Sequence, residues 1–388
     1  MEKYKKRAVQ GLCILLVILL IGCVVQNVVL TNGGTVRVED VSWVTDDGAY
    51  LTARLFIPEG VDADTPAPAV VACHGYNNTL EVQEVNAIEL SRRGYVVIAP
   101  DAYGHGNSTA SVGLMSDDDA LDGVQDDTVG VDEEGDAATQ DGGVYSALQY
   151  LGTLPFVDRE HIGLVGHSMG GYTIQMAANR AFLNQASDAS VVVPKSLFIM
   201  CEGKDIDYTT YAVSVATLTP EFDEFAQGHW NINVPSEANT SAKLKSLFGL
   251  DESDPDIEYG AFYQVGETDP ISRDEAVAAA DKGVLRVSYL LDGRTHPGAH
   301  NSFKAVEYIG DFFNITLKEG VQDTIGLDDQ TWLIKNIAGL ICLICFFLLA
   351  IPVAVLLINT KLFSSLCRKP YPGTQLSDTK QKIRYILL

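Results

Sequence analysis

Cysteine and positive charge are both scarce in the middle of this 388-residue chain. Of seven cysteines, Cys13, Cys23, Cys342 and Cys345 lie in apolar runs near the ends, and Cys367 lies just beyond the second run. Only Cys73 and Cys201 remain, each inside a strand-like stretch (VVACHG, LFIMCEG). That excludes a disulfide framework and indicates two buried free thiols. Residues 31–331 hold 16 Lys and Arg against 49 Asp and Glu, a net charge of −33. Such a surface repels nucleic acid and anionic headgroups alike, so nucleic acid is not a partner. Within it, residues 115–141 carry eleven acids and no base. EF-hand spacing is absent there, so the stretch is expected to be a solvated loop, with calcium binding as the alternative.

Charge of either sign is missing from two long runs, Ala8–Leu30 and Ile337–Asn359. Each is long enough to cross a bilayer, and Pro352 is tolerable inside a membrane helix. No Ala-x-Ala-like site follows the first run, which argues for an anchor over the alternative of a cleaved signal peptide. Lys3, Lys5, Lys6 and Arg7 precede the first run; Lys361, Arg368, Lys369, Lys380, Lys382 and Arg384 follow the second. The positive flanks place both ends in the cytoplasm. The expected layout is a cytoplasmic N-terminus (1–7), a transmembrane helix (8–30), an extracytoplasmic domain (31–331), a transmembrane helix (337–359) and a cytoplasmic tail (360–388). The final KIRYILL looks like the opening of a further apolar segment.

Between the runs, strand signals at Thr35–Val44 and Ala49–Ile57 flank Asp46-Asp47-Gly48, the pattern of a hairpin. Short apolar strands then alternate with helical stretches: Ala69–Ala72, Tyr95–Ala99, Ile162–Val165, Lys195–Met200, Ala261–Val265 and Val284–Leu291, with helices including Leu80–Arg93, Gly143–Leu151, Tyr172–Phe182 and Phe303–Leu317. That alternation predicts an α/β fold with a mostly parallel sheet covered on both faces. Residues 202–258 exceed what a crossover needs, hold a helix signal at Ala242–Phe248, and are expected to cap the carboxyl ends of the strands.

One stretch carries the chemistry. HIGLVGHSMGGYTIQMA (161–177) runs from an apolar strand through Gly166-His167-Ser168-Met169-Gly170 into a helix. In that context the glycines permit a strained turn that lifts the Ser168 hydroxyl above the sheet as a nucleophile. The Met169 N–H opens the helix, where negative charge is stabilised. A second oxyanion donor is expected from Tyr76 in VVACHGYNN, with His74 in a structural role. A serine nucleophile needs a base, and the base a carboxylate. Gly266-Glu267-Thr268-Asp269-Pro270 ends an apolar strand and offers Asp269, with Glu267 as the lesser alternative. LLDGRTHPGAHNSF offers His296 as the base, with His300 as the alternative.

The strand–His-Gly-x, the Asp101-Ala-Tyr-Gly104-His105-Gly106-Asn-Ser108 stretch, Gly-His-Ser-Met-Gly-Gly, Gly-x-x-Asp-Pro and the late histidine together resemble the α/β-hydrolase superfamily. Their nearest likeness is its dienelactone-hydrolase, serine-aminopeptidase and acyl-glycerol-lipase-like branch. The resemblance covers about residues 35–317. It implies an eight-stranded sheet, a cap after the sixth strand, a Ser168–His296–Asp269 triad, and Tyr76 and Met169 as the oxyanion hole. His74-Gly-Tyr-Asn lacks the triple glycine of hormone-sensitive-lipase-like esterases, and the acidic loop and the membrane runs lie outside the family pattern. The expected activity is cleavage of a carboxylic ester, amide or thioester through an acyl-enzyme, on a small-molecule or lipid acyl substrate, with no cofactor and no metal. A serine peptidase or an acyltransferase would use the same residues. A binding ectodomain without catalysis is the rival from another class, and the presence of nucleophile, base and acid in order speaks against it.

Overall fold

Residues 69 to 73 of the chain alternate between two apolar layers. Ala69, Val71 and Cys73 face one core, and Val70 and Ala72 face the other, the period-two pattern of a strand covered on both sides. The computed structural model describes residues 2–46, 48–109, 141–204, 206–321, 323–363 and 378–379. Apart from Asp141, the acidic stretch 115–141 lies outside the described residues, as does most of the tail 360–388.

The chain divides into two compact units, Asn27–Leu333 on one hand and Met1–Gln26 with Ile334–Leu388 on the other. The larger unit contains one sheet of β1 (Val36–Val44), β2 (Tyr50–Pro58), β3 (Ala67–Cys73), β4 (Val96–Pro100), β5 (Val157–His167), β6 (Ser196–Met200), β7 (Ser214–Phe222), β8 (Phe262–Gln264) and β9 (Leu285–Thr295). Their order is β1-β2-β4-β3-β5-β6-β7-β9-β8. The hairpin β1–β2 and the edge strand β8 are antiparallel additions to an otherwise parallel sheet. The helices of this unit among the described residues are α2 (Glu84–Arg92), α3 (Val144–Thr153), α4 (Met169–Gln185), α5 (Ala226–Trp230), α6 (Ala242–Leu247), α7 (Arg273–Asp281) and α8 (Phe303–Leu317), and the last residues of α1 (Glu2–Leu30), from Asn27 on, are counted with it. Residues of α3 and α4 build one core; those of α2, α7 and α8 build the other.

Two expectations need correction. The sheet has nine strands, not eight, because β7 runs through the stretch expected to be cap. Val213-Ser-Val-Ala-Thr-Leu-Thr is rich in β-branched residues and is buried throughout; its polar alternation with small side chains disguised a central strand. The remaining insertion therefore follows β7 and not the sixth strand. It does not form a cap over the strand ends alone: Ala238, Leu244, Leu247 and Phe248 join the core made by α3 and α4, since short segments with apolar faces gain most by packing on the sheet.

The smaller unit holds α1 up to Gln26 and most of α9 (Trp332–Leu348) and α10 (Ala350–Ile358). Glu2–Leu30 and Trp332–Ile358 are long and apolar enough to cross a membrane. The second is interrupted at Leu349, three residues before Pro352, whose ring excludes the carbonyl four residues back. Inside this unit α1 and α9 approach closely: a Cβ on Gly22 would stand 2.3 Å from Cys342 Sγ, and the Gln26 amide donates to Cys342 Sγ at 3.6 Å.

Candidate active site

The parallel strands β3, β5, β6, β7 and β9 all end on one edge of the sheet, and the site is built from the residues that follow them. Ser168 comes directly after β5 and caps α4, with φ 56° and ψ −122°, a conformation that is unfavourable for a residue with a side chain. Packing holds it there. A Cβ on Gly166 would lie 2.1 Å from the Gly170 carbonyl oxygen, and one on Gly170 would lie 2.3 Å from that of Cys73. Only glycine fits at either place, so the turn cannot relax. The Ser168 N–H donates to Met200 O at 2.9 Å, tying the turn to β6.

The loop after β3 approaches the same turn: a Cβ on Gly75 would be 3.3 Å from that of Ser168. Tyr76 thus follows a residue that touches the serine, and Met169 is the first residue of α4. Beneath them His74 is buried, accepts from the Ala102 N–H at 3.0 Å and donates to Gly75 O at 2.8 Å. Burial pushes its pKa down. It is a neutral strut between β3 and the loop after β4, as its place in the sequence suggested.

His296 follows β9 and Asp223 follows β7. The two strands are parallel neighbours, and their last register pair is Phe222 with Thr295, so the next residue of each leaves the sheet side by side. A register shift between Pro220 and Phe222 re-aims the end of β7 in the way bulges do. The outcome is a hydrogen bond of 2.9 Å between His296 Nδ1 and Asp223 Oδ1, with both side chains buried. Nδ1–H donation to the carboxylate leaves Nε2 as the proton acceptor. Acids at and just beyond the end of β7 hold the end of β9 and the histidine after it: Glu224 accepts from the His296 N–H at 2.9 Å and Glu221 from the Gly293 N–H at 2.7 Å.

Asp269 does not take part. It is exposed, as is Glu267. Its strand β8 runs antiparallel to β9, with Gln264 opposite Leu285, so the chain leaving β8 emerges beside the first residue of β9, whereas His296 follows the last. The length of β9, roughly 30 Å at about 3.3 Å per residue, separates them. His300 is not in contact with a carboxylate either; it packs edge-on against His167 at 4.8 Å between centroids. Burial, and secondarily His296, pushes His300 down to about 4. His167 is pushed down to about 3 by burial, with His300 and His296 adding to it.

One group of metal-type side chains converges among the described residues: His167, Cys201 and His296 bring ligand atoms within 4.8 Å of one another. Its atoms have other duties. His167 Nε2 donates to His296 O at 2.9 Å, His296 Nδ1 holds Asp223, and burial with Asp223 nearby keeps the Cys201 thiol protonated. Cys73 is likewise a free buried thiol, pushed up to about 12 by burial.

The model of the alpha/beta hydrolase family matches residues 70–306, which contain every residue of the site. No curated protein matches the chain. Among solved structures, it is similar to a predicted CIB-like hydrolase from Thermoplasma acidophilum (14% identity, 74% of this chain and 100% of that one, TM-score 0.39). It is also similar to an esterase from Pyrobaculum calidifontis (15% identity, 81% and 91%, TM-score 0.41) and to a feruloyl esterase module from Clostridium thermocellum (11% identity, 75% and 91%, TM-score 0.42). With the family model spanning more than half of its length, the chain belongs to the alpha/beta hydrolase family.

Proposed function

We propose that the protein is a membrane-anchored serine hydrolase that cleaves carboxylic esters through a Ser168–His296–Asp223 triad. The observation that carries the reading is the buried 2.9 Å contact between His296 Nδ1 and Asp223 on the strand edge where Ser168 is held in its strained turn. Asp223 orients the ring and stabilises the imidazolium. Nε2 takes the Ser168 proton as Oγ attacks the carbonyl carbon, and the tetrahedral oxyanion is held by the Tyr76 and Met169 N–H groups. The imidazolium then protonates the departing alcohol, leaving an acyl-enzyme. Water, deprotonated by His296, releases the acid and restores the serine. Every proton has an acceptor within the chain, and the chemistry calls on no cofactor.

The anchor reading rests on the two apolar helices and on the Lys and Arg residues beyond them, which favour cytoplasmic termini and an external catalytic unit. External protease on intact cells is expected to digest the catalytic unit; protection until lysis would reverse the orientation. The activity is tested by labelling with a fluorophosphonate probe, followed by a panel of esters of varied acyl length. Labelling of the native chain and none of Ser168→Ala is the expected result, and equal labelling of both would remove Ser168 from its role.

A further inference from the structure

A second histidine–carboxylate pair stands beside the first and has no part in the scheme above. Glu202 follows β6, and His229 lies in α5. His229 Nδ1 is 3.0 Å from Glu202 Oε1, and the same oxygen accepts from the Gly203 N–H at 2.9 Å. Both side chains are more than nine-tenths buried. The His229 ring lies nearly parallel to that of His296, 13° between planes and 6.0 Å between centroids. Phe225 packs on both rings, at 4.7 Å from His296 and 6.4 Å from His229. Glu202 Cβ in turn sits where a side chain on Gly171, in the first turn of α4, would collide at 2.9 Å.

The pair therefore repeats the layout of Asp223 and His296: Nδ1 is committed to a carboxylate and Nε2 is left over. In His296 the proposed use of Nε2 is to take the serine proton. In His229 it is buried and has no partner, and so is Nε1 of the next residue, Trp230. Buried polar atoms are satisfied in the great majority of cases, and a buried ionisable pair is costly to keep without a use. Two orphaned nitrogens on consecutive residues, one of them an acceptor held in orientation by a carboxylate and the other an indole donor, mark a place for a ligand's polar group.

We infer that His229, oriented by Glu202, receives a hydrogen-bond donor of the substrate, a hydroxyl or a protonated amine, close to the bond that His296 helps to cleave. With Nδ1–H given to Glu202, Nε2 offers a lone pair and accepts. The charge around it agrees: Glu202, Asp223 and Glu224 border the ring pair, and Lys204, two residues after Glu202, lies over the Tyr172 ring at 4.7 Å. A carboxylate on the substrate would meet like charge there, whereas an ammonium would be attracted. The inference rests on the triad reading and extends it from a reaction type to a substrate class.

The test compares kcat/KM of the full chain in detergent on matched activated esters whose acyl chain or leaving group is plain, hydroxylated, aminated or carboxylated. The native protein is expected to prefer a hydroxylated or aminated ester over the plain one by roughly 10- to 100-fold, the size of one or two good hydrogen bonds. Preference for the amine alone or the hydroxyl alone identifies which donor is taken. In His229→Leu the ratio is expected to fall toward one, and in His229→Gln, which keeps an acceptor, to survive in part. Taking the ratio within each variant divides out any general loss of rate. Should His229→Leu fail to fold, the isosteric Glu202→Gln decides by the same ratio. A native ratio near one, a preference for the carboxylated ester, or a ratio unchanged by His229→Leu or Glu202→Gln would overturn the inference. If plain-ester hydrolysis also survives Ser168→Ala, the triad reading itself falls; if it depends on Ser168 while the ratios stay at one, only the role of His229 does.

Discussion

The ends of β7 and β8 look alike in the sequence and differ completely in space. Each closes a short run of strand-forming residues, and each is followed within a few positions by an aspartate, Asp223 in one case and Asp269 in the other. Asp223 is buried, accepts from the Phe225 N–H at 2.9 Å and from His296 Nδ1 at the same distance. Asp269 is exposed to solvent. What separates them is strand direction. β7 is a parallel neighbour of β9 and delivers its last residues to the same edge as His296; β8 is antiparallel to β9 and delivers them to the far edge. An acid at a strand end is informative only when the direction of that strand is known.

Substitutions at the two strand ends and around Ser168 distinguish the two aspartates by rate. Ser168→Ala sets the floor, with an expected loss of about 10⁴- to 10⁶-fold in ester turnover and loss of fluorophosphonate labelling. His296→Ala should fall nearly as far, because a triad works as a unit, while His300→Ala should cost about 10- to 100-fold through the packing of His167. The reverse order, measured on one activated ester, would exchange the two histidines. Asp223→Asn is expected to cost about 10⁴-fold, since an amide opposite Nδ1 favours the wrong tautomer. Asp269→Asn should stay within roughly threefold of the native rate, as exposed substitutions away from a site do. A severe loss in Asp269→Asn with a mild one in Asp223→Asn would invert the comparison. Glu224→Gln removes the charge that receives the His296 N–H, and a loss of about tenfold is expected.

The smallest effect is on stability. His167 and His300 are kept neutral by burial, at about 3 and about 4 in the folded protein against 6.5 unfolded. Above pH 6.5 neither state binds these protons and the fold pays nothing. Below it the unfolded chain takes them up first, so stability falls with pH by about 1.4 kcal/mol per unit for each histidine until the folded values are reached. Denaturant unfolding between pH 6.5 and 4 should therefore steepen with acidity, and His300→Ala should remove roughly half of these two residues' share of the slope. An identical slope in that variant would mean that His300 is not held neutral by the fold.

Much of this was legible in the chain because it depends on neighbours in sequence. The turn at Ser168 is fixed by Gly166 and Gly170 and by the strand and helix that flank it. The helix Phe303–Leu317 was legible to the residue from its apolar spacing, and the two uncharged runs stand out by length alone. Each of these rests on local sterics or on a periodicity that a single segment expresses. The choice of His296 over His300 lay between the two kinds of information: the sequence put both after the last strand, and only contact with a carboxylate separates them.

The acid belongs wholly to the tertiary structure. A five-residue run such as Ala261–Val265, apolar but for Gln264, has the same appearance whether it becomes a central parallel strand or a three-residue antiparallel edge. Conversely, Val213–Thr219 conceals a fully buried strand behind its serine and threonines; Thr217 Oγ1 bonds Ser288 Oγ at 2.9 Å on β9, while the Ser214 and Thr219 hydroxyls are buried without a partner. Pairing between strands more than seventy residues apart decides which carboxylate meets the histidine, and no local pattern records that pairing. Local pattern alone gives the glycine-framed serine turn, two histidines after the last strand and two apolar helices; strand order and direction bring Asp223 rather than Asp269 to His296, because only parallel neighbours bring their ends together.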